Sequence, residues 1–292
     1  MTMFNQKKES EIELFKETLY DETWQQVMKK ERVLFSQKSK YQQIEIFENL
    51  FFKKVLVLDN IVQTTEKDEF IYHEMLTHMP IFAHGSVNSV LIIGGGDGGI
   101  LREVLRHKYI KKVVMVEIDS LVIDKCKEFM PSLSNGAFDN PRSNVIVQNA
   151  IEYIKSTNEK FDLVICDSTD PVGPGLVLFL EEFYKNCKRV LNPAGILVTQ
   201  NGVPLFQKDE LKITYQNRKK IFTENSYYFA PVPSYIGGFM AFGWASDKKY
   251  EDIPINVILT RFDALRLKMK YYNPYIHKAS FAMPEYIKEM LI

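Results

Sequence analysis

The sequence predicts an α/β protein that consists of a small N-terminal antiparallel β-domain followed by a larger, doubly wound domain. Between Val33 and Thr65, short runs of alternating apolar and polar residues are separated by turns that contain Asn or Asp, a pattern typical of antiparallel hairpins. From Val90 onward, apolar strand-like segments alternate with amphipathic helix-like segments, which indicates a parallel sheet covered by helices on both faces. We therefore predict a β-domain with a linking helix in residues 1–80 and a doubly wound domain in residues 81–292.

The individual elements follow from the same periodicities. The linking helix is predicted in EKDEFIYHEMLTHMPIFA, where apolar residues recur at helical spacing, and is predicted to end at Pro80. The larger domain then contains these strand–helix pairs: SVLII with ILREVLRH, KVVMVEID with SLVIDKCKEFM, NVIVQN with AIEYIKS, FDLVICDS with LEEFYKNCKRVL, and GILVTQN with DELKITYQNRKKIF. A further strand is predicted from Phe239 to Ser246. Ligands of such sheets bind at the carboxyl ends of the strands, above all where the strand order reverses.

The charge balance and the cysteines restrict the function classes. Lys+Arg and Asp+Glu both total 37 among 292 residues, so no global field favours nucleic acid or an anionic membrane. The three cysteines (Cys126, Cys166 and Cys187) are scattered and form no C-x-x-C pair, which argues against a disulfide framework or a zinc site. The N-terminal segment has no signal-peptide core, and no apolar run approaches the roughly 18–20 residues that span a bilayer. We expect a cytoplasmic protein that binds neither nucleic acid nor membrane.

A glycine-rich turn, starting at Gly94, follows the first strand of the larger domain in LIIGGGDGGILRE. Glycines let backbone N–H groups approach a ligand closely, and Glu117, at the end of the next strand, is placed to accept both hydroxyls of a ribose. Asp97 within the turn would repel a phosphate, so a nucleoside that carries a cation, such as an S-adenosyl sulfonium, fits better than NAD or a nucleoside triphosphate. Because Asp97 suits an ammonium and repels a carboxylate, it further indicates a sulfonium ligand without the carboxylate of S-adenosylmethionine.

Two more acids follow the fourth strand in CDSTDPVGPG, at the same predicted edge. Asp167 and Asp170 could simply cap free backbone N–H groups in a turn. Two neighbouring carboxylates repel each other, however, unless a cation or a shared proton separates them. A cationic amine substrate would relieve that repulsion, and a carboxylate within hydrogen-bond reach could accept the proton that the amine must lose before it attacks.

The segments SKYQ, VLVLDNIVQTTEKDEFIYHEM, VLIIGGGDGGILREVLRH, VEID, DSTDPVGP, TQNG and YIGGFMAFGWAS occur in this order, from Ser39 onward, and KYYNPYIHKASFAMPEYI follows near the C-terminus. Together they closely resemble the spermidine synthases, the putrescine aminopropyltransferases. The resemblance implies a Rossmann-like domain of the S-adenosylmethionine-methyltransferase type. It also implies transfer of an aminopropyl group from decarboxylated S-adenosylmethionine to putrescine, which yields spermidine and 5′-methylthioadenosine.

The resemblance also assigns roles to individual residues. On the acceptor side it implies that Asp167 is the general base, that Asp170 holds the diamine, and that Tyr72 and Tyr235 orient the attacking amine, with His73 and Asp97 beside them. On the donor side it implies that Asp97 binds the aminopropyl ammonium next to Gln42 and His73, that Glu117 binds the ribose, that Gly94 and Gln63 lie near the donor, and that Asn149, Ala150 and Pro174 lie along the adenine. It implies a homodimer or homotetramer. No metal and no cofactor are expected, since the donor is a co-substrate.

One position departs from the family pattern. Asn149 stands where the family usually has an Asp that accepts a hydrogen bond from the adenine amino group. An Asn carbonyl oxygen can accept the same bond, but without charge assistance. The substitution therefore affects the expected affinity for the donor and not the reaction.

Two other functions remain open at this point. A methyltransferase that acts on a small amine would use the same nucleoside site, and a catalytically silent binding protein could share the fold. The length of the acceptor amine (putrescine, cadaverine or spermidine) is not determined by the sequence. Outside the site, His107 is predicted to be solvated or to cap a helix, and residues 217–220 to form a solvated helix face.

Overall fold

A computed structural model of the chain describes residues 12–18, 23–168, 177–250 and 252–292. Its N-terminal part contains two antiparallel sheets. Strands β1 (Leu14–Glu17) and β2 (Gln26–Lys29) form the first, and β3 (Arg32–Lys38), β4 (Gln43–Asn49), β5 (Lys53–Leu58) and β6 (Ile61–Thr65) form the second. The predicted hairpins are confirmed, whereas the pair β1–β2 was not predicted because each strand has only four residues, too few to display a clear period.

Helix α1 (Glu69–His84) connects the two parts of the chain. The predicted end at Pro80 is wrong, because the helix continues for another turn and stops at Gly85, whose φ of 78° is left-handed. Proline removes one backbone hydrogen bond from a helix interior, but here the next residues, Ile81 and Phe82, are fully buried. Their burial outweighs the missing bond. The predicted domain boundary near residue 80 falls within this helix, and the division of the chain there stays a prediction.

The larger part is built on a seven-stranded sheet with the order β12-β13-β11-β10-β7-β8-β9. Its strands are β7 (Ser89–Gly94), β8 (Lys112–Glu117), β9 (Ser143–Val147), β10 (Phe161–Asp167), β11 (Leu191–Gln200), β12 (Glu224–Pro231) and β13 (Phe239–Ser246). Strands β7 to β11 are parallel, and β13 lies antiparallel to both β11 and β12. The predicted α/β fold and the strand from Phe239 to Ser246 are confirmed, while β12 was not predicted.

Helices cover the sheet. They are α2 (Gly99–Leu105), α3 (Ser120–Phe129), α4 (Pro131–Ser134), α5 (Ala150–Ser156), α6 (Glu181–Val190), α7 (Lys208–Lys219), α8 (Ile255–Leu265), α9 (Pro274–Ala279) and α10 (Glu285–Leu291). Along β7, Val90 and Ile92 join a core cluster that includes α1 and α2, while Leu91 and Ile93 join a second cluster that includes α6. Successive side chains of a strand point to opposite faces, so both faces of the sheet are buried, as the continuous apolar runs predicted.

The N-terminal sheet packs directly on the larger part. Ile44 and Leu56 share a buried cluster with Val122 and Cys126 of α3. Helix α3 itself begins beyond the carboxyl end of β8. The contact therefore places the N-terminal sheet beside the sheet edge at which ligands are expected.

Outside the site, the prediction for His107 is wrong, and the prediction for residues 217–220 holds for the exposed Lys219 and Lys220 but not for Arg218. His107 is fully buried and its Nε2 lies 2.9 Å from Nδ1 of His78. Within the segment 217–220, Arg218 is fully buried, and its guanidinium lies 4.5 Å from the ring centroid of Tyr227.

The three cysteines are free and buried. Within the described part of the chain, no helix combines the length and the apolar character needed to cross a membrane.

Candidate active site

A cavity of about 250 Å³ lies at the carboxyl ends of β7, β8 and β10. Strands β7 and β10 are neighbours, and the chain continues from them to opposite edges of the sheet, so the strand order reverses there. The N-terminal sheet supplies part of the wall. The predicted site residues that line the cavity are Gln42, Gln63, Tyr72, Gly94, Asp97, Glu117, Asn149, Ala150, Asp167 and Tyr235. Asp170 and Pro174, which were also predicted, lie outside the described residues.

The glycine-rich turn brings two acids to the same wall of the cavity. At Gly94, φ is 80° and an added Cβ would lie 2.0 Å from the carbonyl oxygen of Asp167. Only glycine allows the turn to pass this close to the end of β10. Three residues later, Asp97 accepts a 2.6 Å hydrogen bond from the backbone N–H of Gly99 through Oδ1. The turn therefore fixes Asp97 beside Asp167.

Asp167 is the last residue of β10, and its carboxylate is held by a tyrosine of α1. The hydroxyl of Tyr72 donates a 2.5 Å hydrogen bond to Oδ1 of Asp167. Burial and the nearby charge of Asp97 raise the pKa of Asp167 to about 6, against the opposing effects of His73 and Tyr72. At neutral pH the carboxylate is thus mostly ionised, yet basic enough to take a proton from an amine that is held against it.

A second tyrosine completes this end of the cavity. The ring of Tyr235 meets that of Tyr72 edge-on, with centroids 5.8 Å apart. Its hydroxyl donates a 2.7 Å hydrogen bond to the carbonyl oxygen of Gln63 in β6. This bond ties the loop after β12 to the N-terminal sheet, and the two aromatic rings border the space in front of Asp167.

His73 does not line the cavity but lies behind Asp97. Its Nε2 is 3.3 Å from Oδ2 of Asp97, and its Nδ1 is 2.6 Å from Oε2 of Glu69. Burial alone would lower the pKa of His73, but these two carboxylates raise it to about 10. The imidazole is therefore doubly protonated at neutral pH. Burial would likewise raise the pKa of Asp97, but the charge of His73 and the N–H of Gly99 hold it below its usual value.

The part of the cavity where the sequence predicts a nucleoside is built around Glu117, the last residue of β8. Its Oε1 accepts a 2.8 Å hydrogen bond from the backbone N–H of Asp119. Burial raises the pKa of Glu117 to about 7. Oδ2 of Asp119 accepts hydrogen bonds from Ser39 Oγ at 2.6 Å and from Gln42 Nε2 at 3.1 Å. Gln42 is thus held at this end of the cavity through Asp119.

Asn149 caps the N-terminus of α5 at the apolar side of the cavity. Its Oδ1 accepts a 2.8 Å hydrogen bond from the backbone N–H of Ile151. Ala150, Ile151 and Leu178 line the adjacent wall. An apolar wall with an amide group beside it suits a purine ring.

Reasoning from the sequence missed two functional candidates in this site. Asp119 was overlooked, although it stands in the VEID segment and caps α3. Glu17 was also overlooked; it lines the cavity from β1 with only 2% of its surface exposed. The sequence contains no clear signal for Glu17, because the four residues of β1 are too few to show which face of the strand is buried.

The described side chains contain no group of three or more His, Cys, Asp or Glu residues arranged to hold a metal ion. The polar groups of the cavity are instead carboxylates, tyrosines and amides. Carboxylates on one wall can bind an ammonium, and one of them has a pKa near neutrality. The arrangement can hold a nucleoside at one end, a cationic amine at the other, and accept a proton between them.

Comparison with known proteins agrees with this geometry. Residues 69–254 match the family model described as a spermine/spermidine synthase domain, and residues 15–66 match a spermidine synthase tetramerisation domain. The polyamine aminopropyltransferase of Pseudomonas syringae pv. tomato is 47% identical over 94% of this chain and 96% of its own length. That of Buchnera aphidicola subsp. Acyrthosiphon pisum is 52% identical over 88% of this chain and 90% of its own length.

Solved structures give the same result. A spermidine synthase in complex with the transition state analogue AdoDATO superimposes with a TM-score of 0.91 at 38% identity and covers 97% of this chain and 96% of its own. The spermidine synthase from Thermotoga maritima superimposes with a TM-score of 0.88 at 35% identity and covers 100% of this chain and 99% of its own. The predicted two-part architecture with a Rossmann-like sheet is therefore that of the spermidine synthases.

Proposed function

The chain belongs to the spermine/spermidine synthase family, a family of transferases, and we propose that it is a spermidine synthase. The proposed reaction transfers the aminopropyl group of decarboxylated S-adenosylmethionine to putrescine, which yields spermidine and 5′-methylthioadenosine. The observation that carries the proposal is the position of the Asp167 carboxylate. It accepts a 2.5 Å hydrogen bond from the hydroxyl of Tyr72 in a cavity that Glu117 also lines.

In the proposed mechanism, Asp167 is the general base. A putrescine ammonium bound between Tyr72 and Tyr235 passes a proton to Asp167, which exposes the nitrogen lone pair. The nitrogen then attacks the aminopropyl carbon attached to the sulfonium. The new C–N bond forms as the C–S bond breaks, and the bonding electrons neutralise the sulfur to give the thioether.

This displacement requires no metal, because a sulfonium is already an activated leaving group. Catalysis comes from aligning nitrogen, carbon and sulfur and from removing the proton. In the proposed complex, Glu117 binds the ribose hydroxyls, and the adenine lies against the wall formed by Ala150 and Ile151. These assignments rest on the lining of the cavity and on the relatedness of the chain to proteins named polyamine aminopropyltransferases.

The choice of donor rests on Asp97. Its carboxylate, ionised and held by Gly99 and His73, would attract the ammonium of an aminopropyl group and repel the carboxylate of S-adenosylmethionine. The choice of acceptor rests on the acids of the cavity. Asp97, Asp167 and Glu17 concentrate negative charge where a dication would bind.

The test mixes the purified protein and putrescine with decarboxylated S-adenosylmethionine or with S-adenosylmethionine, and identifies the products by mass spectrometry. We expect spermidine and 5′-methylthioadenosine from the decarboxylated donor alone. S-adenosylhomocysteine and a methylated amine would instead indicate a methyltransferase. Product from the decarboxylated donor with cadaverine or spermidine, but not with putrescine, would refute putrescine as the acceptor. The proposed donor would still hold.

We further propose that the chain assembles into a homodimer or homotetramer through its N-terminal part. Residues 15–66 match a tetramerisation domain, and Leu50 and Phe51 in this part are 84% and 65% exposed. Exposed apolar side chains of this size are typical of interfaces. Light scattering should show an oligomer, and charged substitutions at both positions should lower its mass if these side chains lie in the interface.

A further inference from the structure

Glu69 links the candidate site to helix α2. Its Oε2 lies 2.6 Å from Nδ1 of His73 and 2.7 Å from NH2 of Arg102. One carboxylate oxygen thus contacts two cations, and Glu69 itself is only 8% exposed. Together with Asp97, these residues form a row of alternating charges: Asp97, His73, Glu69 and Arg102. The row starts at the cavity wall and runs away from it between α1 and α2.

The far end of the row is firmly anchored. Nε of Arg102 donates a 2.9 Å hydrogen bond to Glu103, and NH1 donates a 2.5 Å hydrogen bond to the carbonyl oxygen of Leu133. Each edge of the guanidinium therefore has its own acceptor. A planar guanidinium bonded on several sides holds its partner in one orientation better than an ammonium can. Arg102 thus presents a fixed cation to Glu69.

The imidazole of His73 is fixed by packing as well. An added Cβ on Gly99 would lie 2.2 Å from the ring, so the first residue of α2 leaves just enough room for it. On the other side the ring meets Tyr72 edge-on, with centroids 5.6 Å apart. The ring therefore has one orientation, in which Nδ1 points to Glu69 and Nε2 points to Asp97.

We propose that Glu69 and Arg102 are positioning residues: they hold His73 as a doubly protonated cation, and its Nε2–H in turn fixes the carboxylate of Asp97 toward the ammonium of the donor. This inference rests on the proposed function, because it assumes that Asp97 binds the aminopropyl group. Neither Glu69 nor Arg102 lines the cavity. They act on the donor only through His73 and Asp97.

The charge of His73 also affects Asp167, the proposed base. The charged and titratable groups around His73 are Glu69 on its own helix, Asp97 in the glycine turn, Arg102 on α2, Asp167 at the end of β10, and the adjacent Tyr72. The positive charge of His73 lowers the pKa of Asp167, against burial and the charge of Asp97. Loss of that positive charge would therefore make Asp167 pick up a proton at a higher pH.

The decisive variant is Glu69→Gln, which keeps the size of the side chain but removes its charge. An opposite charge in contact shifts a pKa by roughly 1–3, so the NMR titration midpoint of His73 should fall by about 1–2 pH units. The KM for the decarboxylated donor should rise roughly tenfold as Asp97 loses its orientation. Even after such a fall in its pKa, His73 stays protonated near pH 6, so the acid limb of the kcat profile should keep its wild-type position.

The matched control is Glu74→Gln. Glu74 is another buried carboxylate of α1, but it accepts backbone N–H groups of Lys270, Tyr271 and Tyr272, each at 2.8 Å. This variant should lose thermal stability while keeping the wild-type donor KM, the acid limb and the titration of His73. Arg102→Lys, which keeps the charge, should retain more donor affinity than Arg102→Met.

The outcomes separate this inference from the proposed function. A wild-type protein that forms no product from the decarboxylated donor would overturn the proposed function. A wild-type protein that forms spermidine, together with a Glu69→Gln variant whose donor KM and His73 titration both match the wild type, would overturn this inference alone. Equal changes in Glu69→Gln and Glu74→Gln would also overturn it, because they would reduce Glu69 to a general structural role.

Discussion

The hydroxyl of Tyr72 lies 2.5 Å from Oδ1 of Asp167, although the two residues are separated by 95 positions in the chain. This contact joins helix α1 to the carboxyl end of strand β10. Through it, the Tyr72 hydroxyl donates a hydrogen bond to the Asp167 carboxylate, whose pKa is raised. The contact leaves the second oxygen, Oδ2, for an acceptor amine in the proposed reaction.

Replacing Asp167 by Asn should remove the proposed base and keep the shape of the site. We expect kcat to fall roughly 10²- to 10⁴-fold, with little change in the affinity for the decarboxylated donor, whose proposed contacts lie elsewhere in the cavity. Steady-state kinetics and calorimetric titration of the donor measure the two quantities. A variant with wild-type kcat would show that Asp167 is not the base.

Asp162→Asn is a suitable control for this variant. Asp162 stands near the start of the same strand, where its Oδ2 accepts backbone N–H groups of Asn88 and Ser89 at 2.8 and 3.0 Å. Its replacement should lower the melting temperature of the protein. At temperatures below the melting temperature, kcat should match that of the wild type. A large loss of kcat in both variants would indicate that the effect comes from disturbing β10 and not from the chemistry.

The pH dependence of kcat follows from the pKa of Asp167. Below about pH 6 the carboxyl is increasingly protonated and can no longer accept a proton, so kcat should decrease as the pH falls through that value. The hydrogen bond from Tyr72 stabilises the ionised form. Tyr72→Phe should therefore raise the pKa of Asp167 and move the acid limb to higher pH, which a pH–rate profile would show.

Tyr228→Phe provides the matched control, because the hydroxyl of Tyr228 is also buried but bonds to the carbonyl oxygen of Met75 at 3.2 Å. This variant should keep the acid limb of the wild type. If Tyr72→Phe also keeps it, the hydroxyl of Tyr72 has no influence on the base.

Asn149→Asp should improve donor binding. A carboxylate at this position can accept a charge-assisted hydrogen bond from the adenine amino group, and it also suits the N-terminus of α5. We expect the KM for the donor to fall about fivefold at unchanged kcat. An unchanged or higher KM would mean that Asn149 does not limit adenine binding.

The N-cap of α9 separates this effect from helix stabilisation. Oδ1 of Asn273 accepts N–H groups of Tyr275 and Ile276, each at 2.9 Å. Asn273→Asp should change stability in the same direction as Asn149→Asp, by about 0.3–1 kcal/mol, and leave the donor KM alone. A KM change in both variants would point to an indirect effect.

Glu74 should be important for stability and not for catalysis. Its buried carboxylate accepts backbone N–H groups of Lys270, Tyr271 and Tyr272, each at 2.8 Å. These bonds tie the C-terminal segment to α1. Glu74→Gln should lower the free energy of unfolding by about 2 kcal/mol, measured by urea denaturation, with unchanged KM values. As a contrast, Glu48→Gln, which breaks an exposed ion pair with Arg32, should cost less than about 1 kcal/mol; an equal cost in both would refute the assignment.

The sequence by itself determined the fold class and the edge of the sheet at which the site lies. Apolar strands that alternate with amphipathic helices predict a parallel sheet, and residues at the ends of such strands meet at one edge. For that reason Asp97, Glu117 and Asp167 could be predicted as neighbours from their positions after β7, β8 and β10. The period of a pattern depends on local residues alone, and local residues are visible in the sequence.

Only the tertiary structure decided which side chains touch. The contact of Glu69 with Arg102 joins α1 to α2, 33 residues apart, and the burial of Glu17 depends on how β1 packs against the four-stranded N-terminal sheet. Arg218 stands in a segment whose polar composition predicts a solvated face, yet it is buried against Tyr227. Such partners depend on how elements distant in sequence pack against one another. No local pattern of residues records that packing, because many arrangements of the same helices and strands share the same periods.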